Sequence, residues 1–254
     1  MPHISYSELK DWVFCAFYHK LTRVDQVKVY TGNVYTAFGT TIHNVCEKKL
    51  LQEDVDEKYF IQEFEKHIDE LKGDVDQKMV MDMRQQGKEI LSEVDDGLKN
   101  YFNSYEVVAA ELPLYEPIDG HDDYTFKGYI DAIVKTPDGK THIFDWKTCS
   151  WGWDPRRKSD KMTTYQLTLY KHFYAQKMNI DPKLIETHFA LLKRTAKKDR
   201  VEFFRVSSGP VKIKNALKTL NMALYNIKKK RYIKNRLSCT SGYGCKLYKT
   251  KHCP

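Results

Sequence analysis

The chain has 254 residues, of which 41% are hydrophobic and 30% are charged, a composition typical of a globular protein rather than of a disordered or fibrous one. Lys and Arg number 42 against 34 Asp and Glu, so the net charge is +8, which favours a polyanionic partner. No apolar run approaches the roughly 18 residues that cross a bilayer, and the first residues do not resemble a secretory signal. We therefore expect a cytoplasmic protein without a membrane partner.

The first hundred residues show helical periodicity. Four helices are predicted: one capped by Ser5 or Ser7 and ending at Tyr18, one opening with Gly-Thr-Thr at 39–41, and two over residues 61–71 and 80–101. We assign residues 1–105 to an N-terminal helical region.

From about Tyr105 the period changes to two, which predicts strands. The predicted strands are 107–112 (ending at Pro113), 126–135, 142–148, 186–193 and 201–206, with helices over 163–178 and 211–231. Strands in the middle and helices on both sides favour an α/β or α+β fold with a sheet core over 106–208 and a basic, cysteine-rich C-terminal region over 209–254.

Charge is distributed unevenly. Residues 52–111 carry 17 acidic and 7 basic side chains, whereas residues 193–236 carry 15 basic and 2 acidic ones. A charge run is commonly a solvated helix face, but aromatic residues interrupt this basic block, which also fits a nucleic-acid surface. The densest part, which we predict to contact DNA, is Lys228, Lys229, Lys230 and Arg231.

A predicted hairpin carries two carboxylates. If it turns symmetrically about Asp138, paired residues have numbers that sum to 276, so Asp131 and Asp145 lie opposite each other on one face. Lys147, two residues further on, projects from that face as well. The three groups either form a structural salt-bridge cluster or bind a hard cation such as Mg²⁺, because opposed carboxylates repel without a positive charge between them.

Four segments in chain order resemble the RecB-like branch of the PD-(D/E)XK nuclease superfamily. They are Gly39-Thr-Thr-Ile-His43, Gly128-Tyr-Ile-Asp131, Asp145-Trp-Lys147 and Gln166-Leu-Thr-Leu-Tyr170. His43 and Glu47 are four residues apart, as are Gln166 and Tyr170, so each pair shares a helix face. Taken singly, a helical histidine or tyrosine is commonly structural.

The resemblance implies a restriction-endonuclease-like mixed sheet and assigns roles. His43, Asp131, Asp145 and the Trp146 carbonyl would bind Mg²⁺ or Mn²⁺, and Lys147 would be the catalytic lysine. Gln166 and Tyr170 would support the site and contact DNA. Glu47 and Glu111 match less specific positions and are candidates for a supporting role.

The resemblance also gives a use for four cysteines. Cys15, together with Cys239, Cys245 and Cys253, resembles the set that binds a [4Fe–4S] cluster in phage, AddB-like and CRISPR-associated RecB-like nucleases. The alternatives are a structural zinc ion or free thiols. Cys46 and Cys149 lie among apolar residues and are predicted to be core.

The predicted function is a metal-dependent DNA nuclease, an exonuclease acting on single strands or duplex ends in recombination, repair or phage DNA processing. Modules of this kind resemble both phage nucleases, which act inside a bacterial host, and CRISPR spacer-processing nucleases, which have adaptation partner proteins; self-association is also open. The competing hypotheses are a catalytically idle nucleic-acid-binding module with a structural metal and a nuclease directed at RNA.

Overall fold

A computed structural model describes residues 2–29, 32–71 and 73–254. The chain divides into two compact units. We call the first the terminal unit, which comprises Met1–Thr31, Tyr115–Gly128 and Gly209–Pro254, and the second the central unit, which comprises Gly32–Leu114 and Tyr129–Ser208. The three regions predicted from the sequence, 1–105, 106–208 and 209–254, are defined by function and not by contacts. They stay a prediction.

The chain begins with a short strand followed by helices, continues with strands and helices in alternation, and ends in a helical segment. In chain order they are β1 (His3–Ser5), α1 (Tyr6–Phe14), α2 (Ala16–His19), a π-helix (Lys20–Val24), α3 (Val34–Leu50), α4 (Glu57–Asp69), α5 (Gln77–Phe102), β2 (Glu106–Pro117), β3 (Thr125–Lys135), β4 (Thr141–Cys149), α6 (Pro155–Ser159), α7 (Lys161–Met178), a 3₁₀ turn (Pro182–Leu184), β5 (Ile185–Lys193), β6 (Val201–Val206), α8 (Pro210–Lys228) and a 3₁₀ turn (Arg236–Cys239). None of the helices in the described residues is long and apolar enough to cross a membrane.

Two helix boundaries differ from the prediction. The helix expected to reach Tyr18 ends at Phe14, because Cys15 adopts an extended conformation with φ −164° before α2 begins. The helix expected to open at 39–41 already begins at Val34, because Asn33 and Thr36 cap each other's backbone N–H reciprocally. The earlier start adds a full turn and a half to α3.

Two further boundaries also differ. Strand β2 continues through Pro113 to Pro117 instead of ending at Pro113. Pro113 is exposed, a position where a strand tolerates the missing N–H. The basic helix ends at Lys228 rather than Arg231.

The strands form one mixed six-stranded sheet in the order β1-β3-β4-β5-β6, with β2 also paired to β3. Pairs β1–β3 and β4–β5 are parallel, whereas β3–β4 and β5–β6 are antiparallel. The predicted mixed sheet with flanking helices is therefore confirmed.

The core of the central unit lies between the sheet and helices α3, α4 and α5. Phe144 and Trp146 of β4 belong to this core and are almost fully buried. Because side chains alternate along a strand, Asp145 between them points to the opposite face, where α7 packs. Strand β4 therefore directs Asp145 away from the core that contains Phe144 and Trp146.

The β3–β4 hairpin has the predicted register. Ala132 pairs with Phe144, and Lys135 pairs with Thr141, so each pair sums to 276. Asp131 and Asp145 come one residue beyond the first of these pairs. The turn residues between the strands thus set which side chains face each other at the open end of the hairpin.

Candidate active site

The Asp131 carboxylate links β3 to β4 where their backbone pairing ends. Its Oδ2 accepts a hydrogen bond from the backbone N–H of Trp146 at 2.9 Å. The same oxygen lies 3.3 Å from Nδ1 of His43, which α3 contributes. Burial raises the pKa of Asp131 to about 6, and the negative charges of Glu111 and Glu47 also contribute to the rise.

Asp145 is buried and receives a side chain from α7. Its Oδ1 accepts a hydrogen bond from Nε2 of Gln166 at 2.6 Å, and that nitrogen lies 3.4 Å from the hydroxyl of Tyr170. Burial and the charge of Asp131 raise the pKa of Asp145 to about 6. Gln166 thus contacts the Asp145 carboxylate directly, and Tyr170 contacts the Gln166 amide.

Lys147 forms an ion pair with Oδ2 of Asp145. Burial by itself opposes the charge of this lysine, but Asp145 and Asp131 outweigh burial and raise its pKa. The lysine is therefore a cation at neutral pH. It lies two residues after Asp145 on the same face of β4, as the alternation of the strand requires.

His43 stays neutral in this environment. Burial and the positive charge of Lys147 lower its pKa to about 4, although Asp145 and a hydrogen bond with the Trp146 backbone act in the opposite direction. A neutral imidazole has a nitrogen lone pair that can bind a metal ion.

A cavity of about 460 Å³ opens beside Asp131, and both supporting glutamates line it. The lining residues are Gly39, Thr40, His43, Asn44, Glu47, Glu111, Asp131 and Trp146. Burial and the charge of Glu111 raise the pKa of Glu47. Glu111 has φ +47°, a left-handed conformation that is rare for a glutamate in a strand. Strained backbone of this kind is commonly found at functional sites.

The donor set fits a hard divalent cation. Asp131 and Asp145 supply carboxylate oxygens, and buried Oδ2 of Asp145 receives no hydrogen bond apart from its ion pair with Lys147. Oxygen ligands with one nitrogen are suited to Mg²⁺ and Mn²⁺. The groups converge from β3, β4 and α3, which are rigid elements.

The four cysteines of the predicted cluster belong to the terminal unit. Cys15, Cys239, Cys245 and Cys253 line one cavity of about 440 Å³. Burial and the three other thiols raise the pKa of Cys239, and the backbone N–H of Asn235 donates to Sγ of Cys15 at 3.2 Å. Cys46 is fully buried, whereas Cys149 is half-buried.

The basic segment predicted to contact DNA is partly neutralised. Lys228 pairs with Asp123 and lies over the ring of Tyr124, with 5.4 Å between Nζ and the ring centroid. Arg231 lies over the ring of Tyr225 at 5.5 Å, and Lys229 and Lys230 are exposed. Contact of these residues with DNA stays a prediction.

Two features escaped the sequence reasoning. One is a His-His-Glu cluster of His142, Glu186 and His188, whose ligand atoms all lie within 4.8 Å of one another. The other is Trp151, which is 77% exposed in the loop between β4 and α6. The end of the strand pattern at Cys149 could have indicated that Trp151 lies in a loop. No local pattern could have indicated that His142, Glu186 and His188 meet.

A family model described as the PD-(D/E)XK nuclease superfamily matches residues 3–246, so the chain belongs to this superfamily. The protein is therefore a nuclease, a hydrolase of nucleic-acid esters, and nucleases of this superfamily use divalent metal ions. No curated protein is significantly similar to it in sequence.

Comparison with solved structures gives two matches. A "putative exonuclease" from Eubacterium rectale has a TM-score of 0.62 and 16% identity, and the match covers 94% of this chain and 86% of that one. The protein SSO0001 has a TM-score of 0.44 and 12% identity over 96% of this chain and 83% of that one. The first of these likenesses supports the fold alone, and the second carries no weight.

Proposed function

We propose that the protein is a metal-dependent deoxyribonuclease of the RecB-like branch, an exonuclease that acts on single-stranded DNA or DNA ends in recombination, repair or phage DNA processing. The observation that carries the proposal is the convergence of Asp131, Asp145 and Lys147 beside His43. A purely structural salt bridge between Asp145 and Lys147 would require neither the Asp131 carboxylate nor the neutral imidazole at the same point.

In this proposal, Asp131, Asp145, His43 and the Trp146 carbonyl would hold Mg²⁺ or Mn²⁺. The bound ion would lower the pKa of a water molecule and offset charge on the phosphate. The cationic Lys147 orients the attacking water or stabilises the developing negative charge on the phosphoryl oxygens. Hydrolysis then gives a 5′-phosphate and a 3′-hydroxyl.

The remaining predicted residues position this machinery. Gln166 holds Oδ1 of Asp145, so Oδ2 is left toward Lys147 and the cation. Tyr170 in turn lies next to the Gln166 amide. Glu47 and Glu111 increase the negative potential of the cavity, which favours a divalent ion over a monovalent one.

An aromatic and basic surface in the central unit supports single-stranded substrates. Trp151 follows β4 and is exposed, and Ser150 beside it is anchored by Arg194, whose Nη2 donates to Ser150 Oγ at 3.0 Å. Arg156 and Arg157 are exposed on the next helix, and Arg157 lies close enough to Lys147 to act on its pKa. Exposed aromatic rings beside cations bind unpaired bases and phosphates.

The cavity lined by four cysteines supports the second part of the proposal, a [4Fe–4S] cluster held by Cys15, Cys239, Cys245 and Cys253. The N–H of Asn235 donates to Sγ of Cys15, and hydrogen bonds of this kind to a ligand sulfur tune a cluster. The cluster would join the N-terminal helices to the C-terminal segment within the terminal unit.

The decisive experiment is digestion of end-labelled DNA with Mg²⁺, Mn²⁺ or a chelator. Single-stranded DNA, duplex DNA and matched RNA are compared, and labels at either end give polarity. We expect release of mononucleotides from DNA only with the metal ion. Asp131→Ala should abolish cleavage and retain DNA binding, whereas Asp82→Ala, an exposed aspartate on α5, should cleave like the wild type. Cleavage that survives Asp131→Ala would contradict the site assignment.

A further inference from the structure

A second group of metal-ligating side chains lies in the central unit, on the strands of the nuclease sheet but apart from Asp131 and Asp145. His142 stands at the start of β4, and Glu186 and His188 stand at the start of β5. In the parallel register His142 pairs with Glu186, which brings the three side chains together. Nδ1 of His142 and Nε2 of His188 are 3.0 Å apart, and a carboxylate oxygen of Glu186 lies within 4.8 Å of both.

Each histidine is oriented through its other ring nitrogen. Nε2 of His142 is 2.9 Å from the hydroxyl of Thr136, which itself donates to Asp138. Nδ1 of His188 is 3.1 Å from the hydroxyl of Tyr101, at the end of α5. Metal-binding histidines are typically held in this way, by a hydrogen bond on the nitrogen that does not bind the metal.

Glu186 is oriented through one of its two oxygens. Lys140 and Arg205 both pair with Oε1, at 3.1 Å and 3.2 Å. The two cations therefore fix the carboxylate on one side and leave Oε2 for another partner. Each histidine thus has one nitrogen anchored by a hydroxyl and the other directed at its partner ring, and Glu186 has one oxygen outside its two ion pairs.

The hydrogen bonds also indicate which ring nitrogens of His142 and His188 carry protons. Because the Thr136 hydroxyl donates to Asp138, the proton between Thr136 and His142 is on Nε2 of His142. In that arrangement Nε2–H of His188 donates to Nδ1 of His142, and burial lowers the pKa of both rings, which favours their neutral forms. To bind an ion, His188 has only to move its proton from Nε2 to Nδ1, where Tyr101 accepts it.

We infer that His142, His188 and Glu186 bind a zinc-class divalent cation at a site separate from the nuclease centre. Two imidazoles and one carboxylate suit Zn²⁺ or Co²⁺ better than Mg²⁺, and three protein ligands leave a fourth position open. A cavity of about 480 Å³, lined in part by Asn103 and Ser104, gives the ion access. The bound ion would tie the starts of β4 and β5 together.

The test adds Co²⁺ to the full-length protein and records the visible absorption of the bound ion. We expect one tetrahedral Co²⁺ that is retained in Asp131→Ala and in Cys239→Ser, which separates it from the nuclease site and from the cysteines. Glu186→Gln should weaken binding at least tenfold, and Tyr101→Phe by ten- to a hundredfold. Cobalt that binds equally well to Glu186→Gln, or fails to bind the wild type, would overturn the inference.

A second measurement does not depend on colour. Zn²⁺ should raise the melting temperature of the wild type as its concentration increases, because the assembled site binds the ion more tightly than the unfolded chain does. Glu186→Gln and His142→Asn should lose this increase. Circular dichroism of the metal-free variants verifies that they fold. An equal increase in the wild type and in both folded variants would also overturn the site.

Discussion

The Asp131 carboxylate accepts the backbone N–H of Trp146 at 2.9 Å, at the point where β3 and β4 stop pairing. A side chain thus accepts this backbone N–H just beyond the last paired residues, Ala132 and Phe144. Asp131 lies next to His43 and the cavity, whereas Asp145 is buried and bonded to Gln166 of α7. A cavity of about 460 Å³ lies beside Asp131 at this end of the hairpin.

The first prediction concerns how the ionised Asp131 carboxylate lowers the free energy of unfolding when no metal ion is bound. The folded protein raises the pKa of Asp131 to about 6, so its ionised form destabilises the fold as pH rises from about 4 to about 6. Asp131→Asn cannot ionise, and its amide oxygen can still accept the Trp146 N–H. With chelator, we expect the variant to be more stable than the wild type at pH 8, by on the order of 1–3 kcal/mol, and equal to it near pH 4.

Urea unfolding at the two pH values measures this difference. In Mg²⁺ or Mn²⁺ the order should reverse at pH 8, because only the wild type gains the free energy of metal binding. A stability difference that is the same at both pH values would show that the charge of Asp131 is not its cause.

The second prediction concerns Gln166. Its amide donates to Oδ1 of Asp145 at 2.6 Å, and we propose that this bond orients the carboxylate. Gln166→Ala should lower kcat by about ten- to a hundredfold and leave KM for DNA nearly unchanged. Steady-state digestion measures both constants, and Gln62→Ala on the exposed face of α4 is the matched control. A raised KM with normal kcat would instead indicate a contact with the substrate.

Much of this site follows from local sequence. The turn between β3 and β4 predicts the hairpin register, and the register predicts that Asp131 and Asp145 lie near each other. Spacing by four likewise predicts that Gln166 and Tyr170 share a helix face. These relations depend on residues that are close in the chain, so the periodicity of strands and helices is enough to reach them.

Other relations could not be read in this way. The meeting of His142 with His188 depends on the parallel register of β4 and β5, which are separated in sequence by two helices. The break at Cys15 also depends on tertiary structure, because its sulfur receives the N–H of Asn235 from the far end of the chain. The earlier start of α3, by contrast, is a local signal, since Asn33 and Thr36 have the spacing of a reciprocal cap.

The third prediction tests the cysteine cluster. Protein isolated without oxygen should be brown, with broad absorbance near about 400 nm and four iron atoms per chain. Cys239→Ser should lose most of this absorbance, whereas Cys149→Ser, which changes a half-buried cysteine of the central unit, should keep it. Zinc in place of iron would favour the structural zinc alternative, and absence of both metals would favour free thiols. Either result would leave the nuclease proposal standing.

The fourth prediction concerns Trp151. If an unpaired base stacks on this exposed ring, Trp151→Ala should weaken binding of single-stranded DNA by roughly tenfold or more, and Trp151→Phe should retain most of the affinity. Fluorescence anisotropy with chelator present measures binding without cleavage. Leu184→Ala, which removes another exposed apolar side chain of the central unit, is the control. Equal weakening for duplex DNA would indicate a contact with the backbone rather than with a base.

The last prediction concerns the helical layer that supports His43. Gly87 of α5 lies against the buried ring of Phe60, and a Cβ at this glycine would come within 2.1 Å of Phe60 Cζ. An alanine in an exposed helix normally stabilises it relative to glycine, but here the ring would have to move within a packed core. We expect Gly87→Ala to destabilise the protein by about 1–3 kcal/mol.

Thermal or urea unfolding of Gly87→Ala and of the wild type measures this cost. Adding Phe60→Leu should cost less in the Gly87→Ala background than in the wild type, because the smaller side chain relieves the overlap. If the two substitutions change the free energy of unfolding additively, the Phe60 ring is not what excludes a side chain at Gly87. A favourable coupling would instead show that α4 and α5 meet through this glycine, which keeps the layer beneath α3 closely packed.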